Sequence, residues 1–332
     1  MNERKRVVSR ELILAIIVAG LMLFLALTSG FGSVSGIFSM MLDVSPTMVG
    51  AVALALLIFT GNIDISAGTI LGFVGFVTAI LAKSGYPFWI FMPAGIVTAM
   101  VLASINGWIS VTFKVPSIVV TLAMNMVHIG FYVTFLPNAG WVLNLSDSFT
   151  FLGRGRFFGV IPYIFVIAVV VVVAFIWIMR YTKFGKALYA VGGNRQASIY
   201  AGINPDRTVL KAFVVEGFLL GIAGILKATT ANRLMPSVFE GREMIFIAAA
   251  VVGGVSIMGG AGKVLGAVLG AFLVYLLSTA MIYLGFQDYY QFALQGIIVL
   301  VAVFITVTDF GHVRKAIQRL FAARSTGREG QT

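Results

Sequence analysis

The chain has no cysteine, two histidines (His128 and His312) and only 11% charged residues in a length of 332. Without cysteine there is no disulfide, no thiol nucleophile and no thiolate metal site. Two histidines do not make a His-based metal cluster. Soluble domains carry about 25% charged residues, so an ordinary water-facing surface is excluded too. What the chain has is apolar: 60% of its residues are hydrophobic and the mean hydropathy is +1.03. A helical span needs about 20 apolar residues, so ten spans would use about 200. The composition is that of a polytopic membrane protein. The net charge of +11 would suggest nucleic acid on a soluble chain. Here the basic residues sit in loops and at the ends, which reads as positive-inside topology and contact with anionic lipid.

Ten apolar segments are predicted: Leu12–Thr28, Pro46–Thr60, Ile65–Ala82, Phe88–Phe113, Ile118–Leu136, Phe158–Met179, Val209–Ala231, Met244–Met258, Val264–Leu284 and Tyr289–Thr308. The expected fold is an all-α membrane bundle of about ten helices, some short or broken, in a single domain over 1–332. Pro46–Thr60 and Met244–Met258 are short for a span, and each runs into a polar break, GNID at 61–64 and GGAGK at 259–263. Short, Gly-broken helices in corresponding parts of two halves mark the functional region of many transporters. The basic start MNERKRVVSR is followed by no A-x-A-like site, so Leu12–Thr28 reads as a first span and not as a cleaved signal. With the N-terminus inside and the segments alternating, 17 of the 23 Lys and Arg residues fall on the inner side. That bias places an N-tail (1–10), a central loop (180–208) and a C-tail (309–332) in the cytoplasm. The outer loop Pro137–Phe157, with Asn138, Asn144, Asp147, Arg154 and Arg156, is either a plain connector or a receiving surface for a soluble partner.

The stretch from Arg180 to Lys211, RYTKFGKALYAVGGNRQASIYAGINPDRTVLK, is the main polar interruption toward the middle of the chain. It carries Arg180, Lys183, Lys186, Arg195, Arg207 and Lys211. A first short helix is predicted over Phe184–Val191, stopping at Gly192–Gly193. A second starts at Asn194, a good N-cap, and ends before Gly202, a good C′ residue. A helix of about seven residues is roughly 10 Å long and is not stable alone. It needs a surface to dock on, and a soluble partner protein is the expected one.

Several residues are candidates for chemistry. Asp64, in GNIDISAGT, is costly at membrane depth unless solvated or paired. It has two readings: part of a gate or hinge with Asn62 and Ser66, or an N-cap in which Asp64 or Ser66 satisfies the first amides of the next helix. Glu216 lies two turns into an apolar segment, with Lys211 the nearer and Lys227 the farther possible partner; a proton-relay role is a further reading. His128, beside Asn125, reads as an interhelical hydrogen-bonding residue. Asn106, Asn125 and Gln295 are candidate pathway contacts. GGAGKV at 259–264 is not a phosphate loop, because Ile257 and Val264 stand where G-x-x-x-x-G-K-[ST] needs Gly and Ser or Thr. Any ATP hydrolysis must therefore come from another subunit. The pairs Gly68–Gly72, Gly217–Gly221 and Gly266–Gly270 allow close helix approach, and ordinary bundle packing explains them.

Three stretches together resemble the ribose-type permease family of ABC importers, which handles ribose, other pentoses, hexoses and autoinducer-2. They are GNIDISAGT at 61–69, YAVGGNRQASIYAGIN at 189–204 and VVGGVSIMGGAGKVLGAVLG at 251–270. The resemblance implies a type II-like permease in the bacterial inner membrane, dimeric with itself or a paralogue. It implies two cytoplasmic ABC ATPase subunits, which hold the ATP and Mg, so that this chain binds no cofactor and is not itself an enzyme. It also implies a periplasmic or lipid-anchored solute-binding protein. On that likeness Gly192, Gly193, Asn194, Arg195, Ala197 and Gly202 belong to the ATPase-coupling loop. Two positions depart from the family: Arg195 where an acidic residue is frequent, and Asn62 where Gly is usual. Two other readings stay open, an ion-coupled secondary transporter and a branched-chain amino acid ABC permease.

Overall fold

The computed structural model describes residues 10–135, 145–231, 234 and 239–287, and the single positions 290, 293, 296, 297, 300 and 304. Gln295 and the C-tail 309–332 lie outside the described residues, as do all but those single positions of the predicted segment Tyr289–Thr308. Among the described residues the regular elements are helices and one small hairpin. In order it forms α1 (Arg10–Thr28), a 3-10 turn (Gly30–Gly32), α2 (Val34–Ile58), α3 (Ala67–Lys83), α4 (Phe88–Phe113) and α5 (Ser117–Phe135). Then come α6 (Asp147–Arg154), β1 (Arg156–Phe157), β2 (Ile161–Pro162), α7 (Tyr163–Tyr181), α8 (Lys183–Gly193) and α9 (Arg195–Tyr200). The last are α10 (Pro205–Thr230), α11 (Arg242–Val252) and α12 (Val264–Tyr283). Among the described residues, α1, α2, α4, α7, α10 and α12 are long and apolar enough to cross a membrane, and α3 and α5 are shorter apolar helices.

The helix at the centre is α2. From Val44 to Phe59 every residue is buried, so it is enclosed on all sides, as expected of a helix that is apolar all round. It packs against α7, α10, α11 and α12. The predicted short segment Pro46–Thr60 is corrected here: α2 has 25 residues and begins at Val34, where the Ser33 hydroxyl accepts the Gly36 amide at 3.1 Å. Pro46 resembles a helix start, because proline suits the first turn, but it stands inside this helix. The other short segment stays short: α11 has 11 residues and ends at a turn in which Gly254 has φ +87°.

Helix α10 packs along α4 through Gly217 and Gly221, where a Cβ would strike the Ala99–Met100 backbone and Ile96. On α12, Gly266 and Gly270 do the same against Gly253 and Ala249. Both pairs act in close helix approach. Helix α1 stands on the outside of this core, against α12, where Val18, Leu25, Met40 and Leu276 form a small separate cluster. The predicted start at Phe158 is also corrected. Residues 156–162 form the hairpin, with Arg156 opposite Pro162 and left-handed Phe158 and Gly159 at its turn, and α7 begins at Tyr163. Within the predicted outer loop, α6 is an ordered element seated on the end of α10, its Gly153 against the Thr229 backbone; residues 136–144 lie outside the described residues.

Candidate functional site

Between α2 and α3 the chain is unwound for several residues. Its freed amides take partners from α5. Ile63 N–H donates to the Ser117 hydroxyl at 3.0 Å, and Ile65 N–H to the Thr121 hydroxyl at 3.0 Å. Asp64 is fully buried. Its Oδ1 accepts both the amide and the hydroxyl of Ser66, each at 2.6 Å, and its Oδ2 faces Asn106 Nδ2 of α4 at 3.4 Å. The Asn106 amide also donates to the Ser66 hydroxyl at 2.8 Å. Asp64, Ser66 and Asn106 are thus one cluster that ties the break to α4. The capping reading is corrected: Ser66 is the N-cap residue of α3 and makes no side-chain cap bond, and Asp64 holds the residue before the helix instead of its first amides. Asn62 is turned away from this cluster; its Nδ2 donates to the Thr60 hydroxyl at 2.8 Å. One turn on, Thr69 meets His128 Nδ1 at 3.0 Å, the interhelical bond expected of that histidine. Asn125 is half-buried on α5, and no hydrogen bond joins it to Asp64, Ser66 or Asn106.

The second element is the loop from α8 to α9. Thr182 caps α8 by accepting the Gly185 amide at 3.2 Å, and Asn194 caps α9 by accepting the Ala197 amide at 2.9 Å. Gly202 closes the loop at φ +78°, and Asn204 then caps α10 ahead of Pro205. The caps at Asn194 and Gly202 stand where local chemistry put them. The stop at Gly192–Gly193 is corrected: α8 continues through both glycines.

The reason is tertiary. Gly192 lies directly on the carbonyl of Phe59, the C-cap of α2, leaving no room for a Cβ. The same carbonyl accepts the Gly260 amide at 2.9 Å. A Cβ on Gly259 would press on Gly61 and Gly192, and one on Gly260 on Gly193. Three stretches far apart in sequence, 59–61, 192–193 and 259–260, therefore meet backbone to backbone. Tyr189 locks the junction. Its hydroxyl donates to the Gly262 carbonyl at 3.0 Å, and its ring lies 4.7 Å from that of Phe59. Burial pushes the Tyr189 phenol up to about 12, so it remains a donor at any physiological pH.

Arg195 is exposed and engages its own chain. It pairs with Asp206 at the start of α10, and Lys114, the left-handed C-cap of α4, pairs with the same carboxylate. The Lys114 hydrogen bond and then the field of Arg195 hold Asp206 below the ordinary carboxylate range. The departure at Arg195 is thus engaged within the chain. Ala197, Ile199 and Tyr200 remain exposed on α9.

Glu216 is fully buried on α10. Its expected pairing is corrected. Lys211 is exposed, and Lys227 lies 3.8 Å from Asp43 on α2. Three residues escaped the sequence reading. Glu243 of α11 rests its carboxylate on Gly68 of α3, and Ser117 and Thr121 hold the break. Nothing local marks them, since their partners are more than fifty residues away in the chain.

Residues 36–303 match the family described as branched-chain amino acid transport system / permease component. The ribose import permease protein of Haemophilus influenzae is 30% identical over 276 residues, 82% of this chain and 85% of the relative. The L-arabinose ABC transporter permease protein of Azospirillum brasilense is 31% identical over 262 residues, 78% and 76% of the two chains. The autoinducer 2 import system permease protein of Photorhabdus luminescens is 29% identical over 275 residues, 83% and 81%. No solved structure matches the chain.

Proposed function

The chain belongs to the family of branched-chain amino acid transport system permease components, and from that premise we propose that it is the membrane-spanning subunit of an ATP-driven, binding-protein-dependent importer. Its solute is a sugar or sugar-like molecule, the class named in the ribose, arabinose and autoinducer 2 relatives, and not an amino acid. It pairs with a second permease copy or paralogue. Both termini and the 180–208 loop face the cytoplasm, where α9 sits in a groove of a separate ATPase subunit. ATP is hydrolysed there, and a periplasmic binding protein delivers the solute from the other side.

The observation that carries this reading is the backbone junction of Phe59, Gly192 and Gly260. It joins the loop expected to meet the ATPase to the ends of both interrupted helices. With no side chain between them, a shift of α8 and α9 is passed on to the 59–66 and 253–263 breaks. That is the mechanical link an alternating-access cycle needs.

The test is affinity purification of the tagged protein after co-expression with its genomic neighbours. An ATPase and a binding protein should elute with it, and screening the binding protein should return a sugar. If the protein elutes alone and takes up solute in ATP-free vesicles under an ion gradient, the importer reading fails and an ion-coupled carrier replaces it. A binding protein that takes branched-chain amino acids would overturn the solute class.

A further inference from the structure

The α4–α10 interface holds a group of oxygens with too few donors. Both Glu216 carboxylate oxygens and Asn106 Oδ1 are fully buried and have no hydrogen-bond partner among the described residues. They belong to one layer: Gly217 of α10 packs against Ala103, and Phe213 packs against Gly107. That brackets Asn106 and Glu216 from both sides. Asp64 acts electrostatically on Glu216 and is itself joined to Asn106. Two buried carboxyl groups and an amide oxygen therefore stand at one level of the bundle, beside an unwound stretch of backbone.

The charges around these groups do not balance them. Among the described residues, the ion pairs of Lys114 and Arg195 are with Asp206, and those of Lys227, Arg154 and Lys263 are with Asp43, Asp147 and Glu11. Asp64 and Glu216 have none. From α11, Glu243 adds a third acid that interacts with Asp64, while its half-buried neighbour Arg242 acts on Asp43 and Lys227. From α5 comes His128, bonded to Thr69. Lys227, on α10 itself, stands eleven residues, about 16 Å, along the helix from Glu216. A buried carboxylate without a donor is among the most costly groups in a membrane protein unless a positive charge joins it.

We propose that Glu216, Asn106 and Asp64 form a buried site for one monovalent cation, a proton or Na⁺. Glu216 supplies the charge and Asn106 Oδ1 a neutral ligand, while Asp64 contributes Oδ2, the oxygen with the weaker hydrogen bond. Broken helices are natural places for such a site, because freed carbonyls add further ligands. The inference needs only α4, α10 and the α2–α3 break, so it does not rest on the importer reading. It makes the packing of α4 on α10 dependent on the cation.

The experiment measures thermal unfolding of the full-length protein in nanodiscs, wild type against Glu216→Gln, whose amide supplies its own donor. One series exchanges choline chloride for NaCl at constant ionic strength; the other varies pH in choline alone. A melting temperature that rises and saturates with Na⁺ identifies sodium. One that falls as pH rises, without a Na⁺ effect, identifies a proton, and the infrared band of a protonated carboxylic acid should then be present in wild type and missing from the variant. Either response must be lost in Glu216→Gln. If that variant does not assemble, Asn106→Ser, which withdraws the neutral ligand from the α4 side, should shift the half-saturating Na⁺ concentration or the pH midpoint away from that of wild type. Wild type and variant responding alike to both Na⁺ and pH would overturn the site.

Discussion

Gly192 and Gly193 are neighbours in one helix, and the structure assigns them opposite responses to the same substitution. Alanine in place of a helical glycine gains up to about 1 kcal/mol of helix propensity. At Gly193 a new Cβ would meet Gly260 Cα at 3.9 Å, an ordinary contact, so Gly193→Ala should be neutral or slightly stabilising. At Gly192 the Cβ would overlap the Phe59 carbonyl and crowd the Gly260 amide bonded to it. Parting the two costs a buried hydrogen bond, about 1–3 kcal/mol, and overpacking adds roughly 1–3 kcal/mol. Less the propensity gain, Gly192→Ala should lose about 1–5 kcal/mol, which a domain worth about 5–15 kcal/mol can survive. The protein should insert and melt lower, and it should stimulate its ATPase less in response to loaded binding protein. Thermal unfolding in detergent and solute-stimulated ATP hydrolysis read the two effects separately. Equal melting temperatures for the two alanine variants would refute the backbone-contact argument.

Other outcomes follow from the same geometry. Asp64→Leu removes the acceptor of the Ser66 amide and hydroxyl. It should cost several kcal/mol, at about 1–3 kcal/mol for each stranded donor, and abolish uptake, whereas Asp64→Asn keeps one acceptor and should retain part of both; equal melting points for the two would discount the cluster. Gly202→Val forces a β-branched residue to φ +78°, a strain of about 1–2 kcal/mol, and should weaken ATPase association in a pull-down while leaving membrane insertion intact. Asp206 has a depressed folded-state pKa, so its stabilisation is present above its unfolded value and is lost as pH falls through the folded one. Because the group is over a third exposed, Asp206→Asn should lower stability by no more than about 1 kcal/mol at neutral pH. The difference from wild type should vanish in acid, and a difference that persists there would point to packing instead of charge.

If α9 moves with an ATPase, the Arg195–Asp206–Lys114 group is one route by which α10 and α4 feel it. It fastens the start of α9 to the start of α10 and to the end of α4, the two helices that carry Glu216 and Asn106. The Gly192 junction reaches the α2–α3 break, and that break is fastened to α4 again through Asn106. Two routes from the polar loop thus converge on the same buried layer.

Properties that depend on near neighbours in the chain were legible in the sequence. Apolar runs declared the membrane, and the caps at Asn194 and Gly202 declared a short helix, because both reflect a residue's own backbone and the amides two or three places away. The breaks after Thr60 and before Val264 could be seen for the same reason. The N-terminal half of α2 was missed, because Ser, Gly and Pro46 look like the end of an element wherever tertiary packing does not overrule them. Gly192–Gly193 looked like a stop, since a glycine chosen for close approach and one chosen for a turn are the same letter. Lys211 looked like the partner of Glu216 on helical spacing, but the bundle sets one inside and the other at its surface. Only the tertiary structure could bring 59–61, 192–193 and 259–260 together, join Arg195 to Asp206, and bury Glu216 without a hydrogen-bond partner among the described residues. Those contacts depend on which helix faces pack against each other, and that is decided by shape and burial summed over the whole bundle.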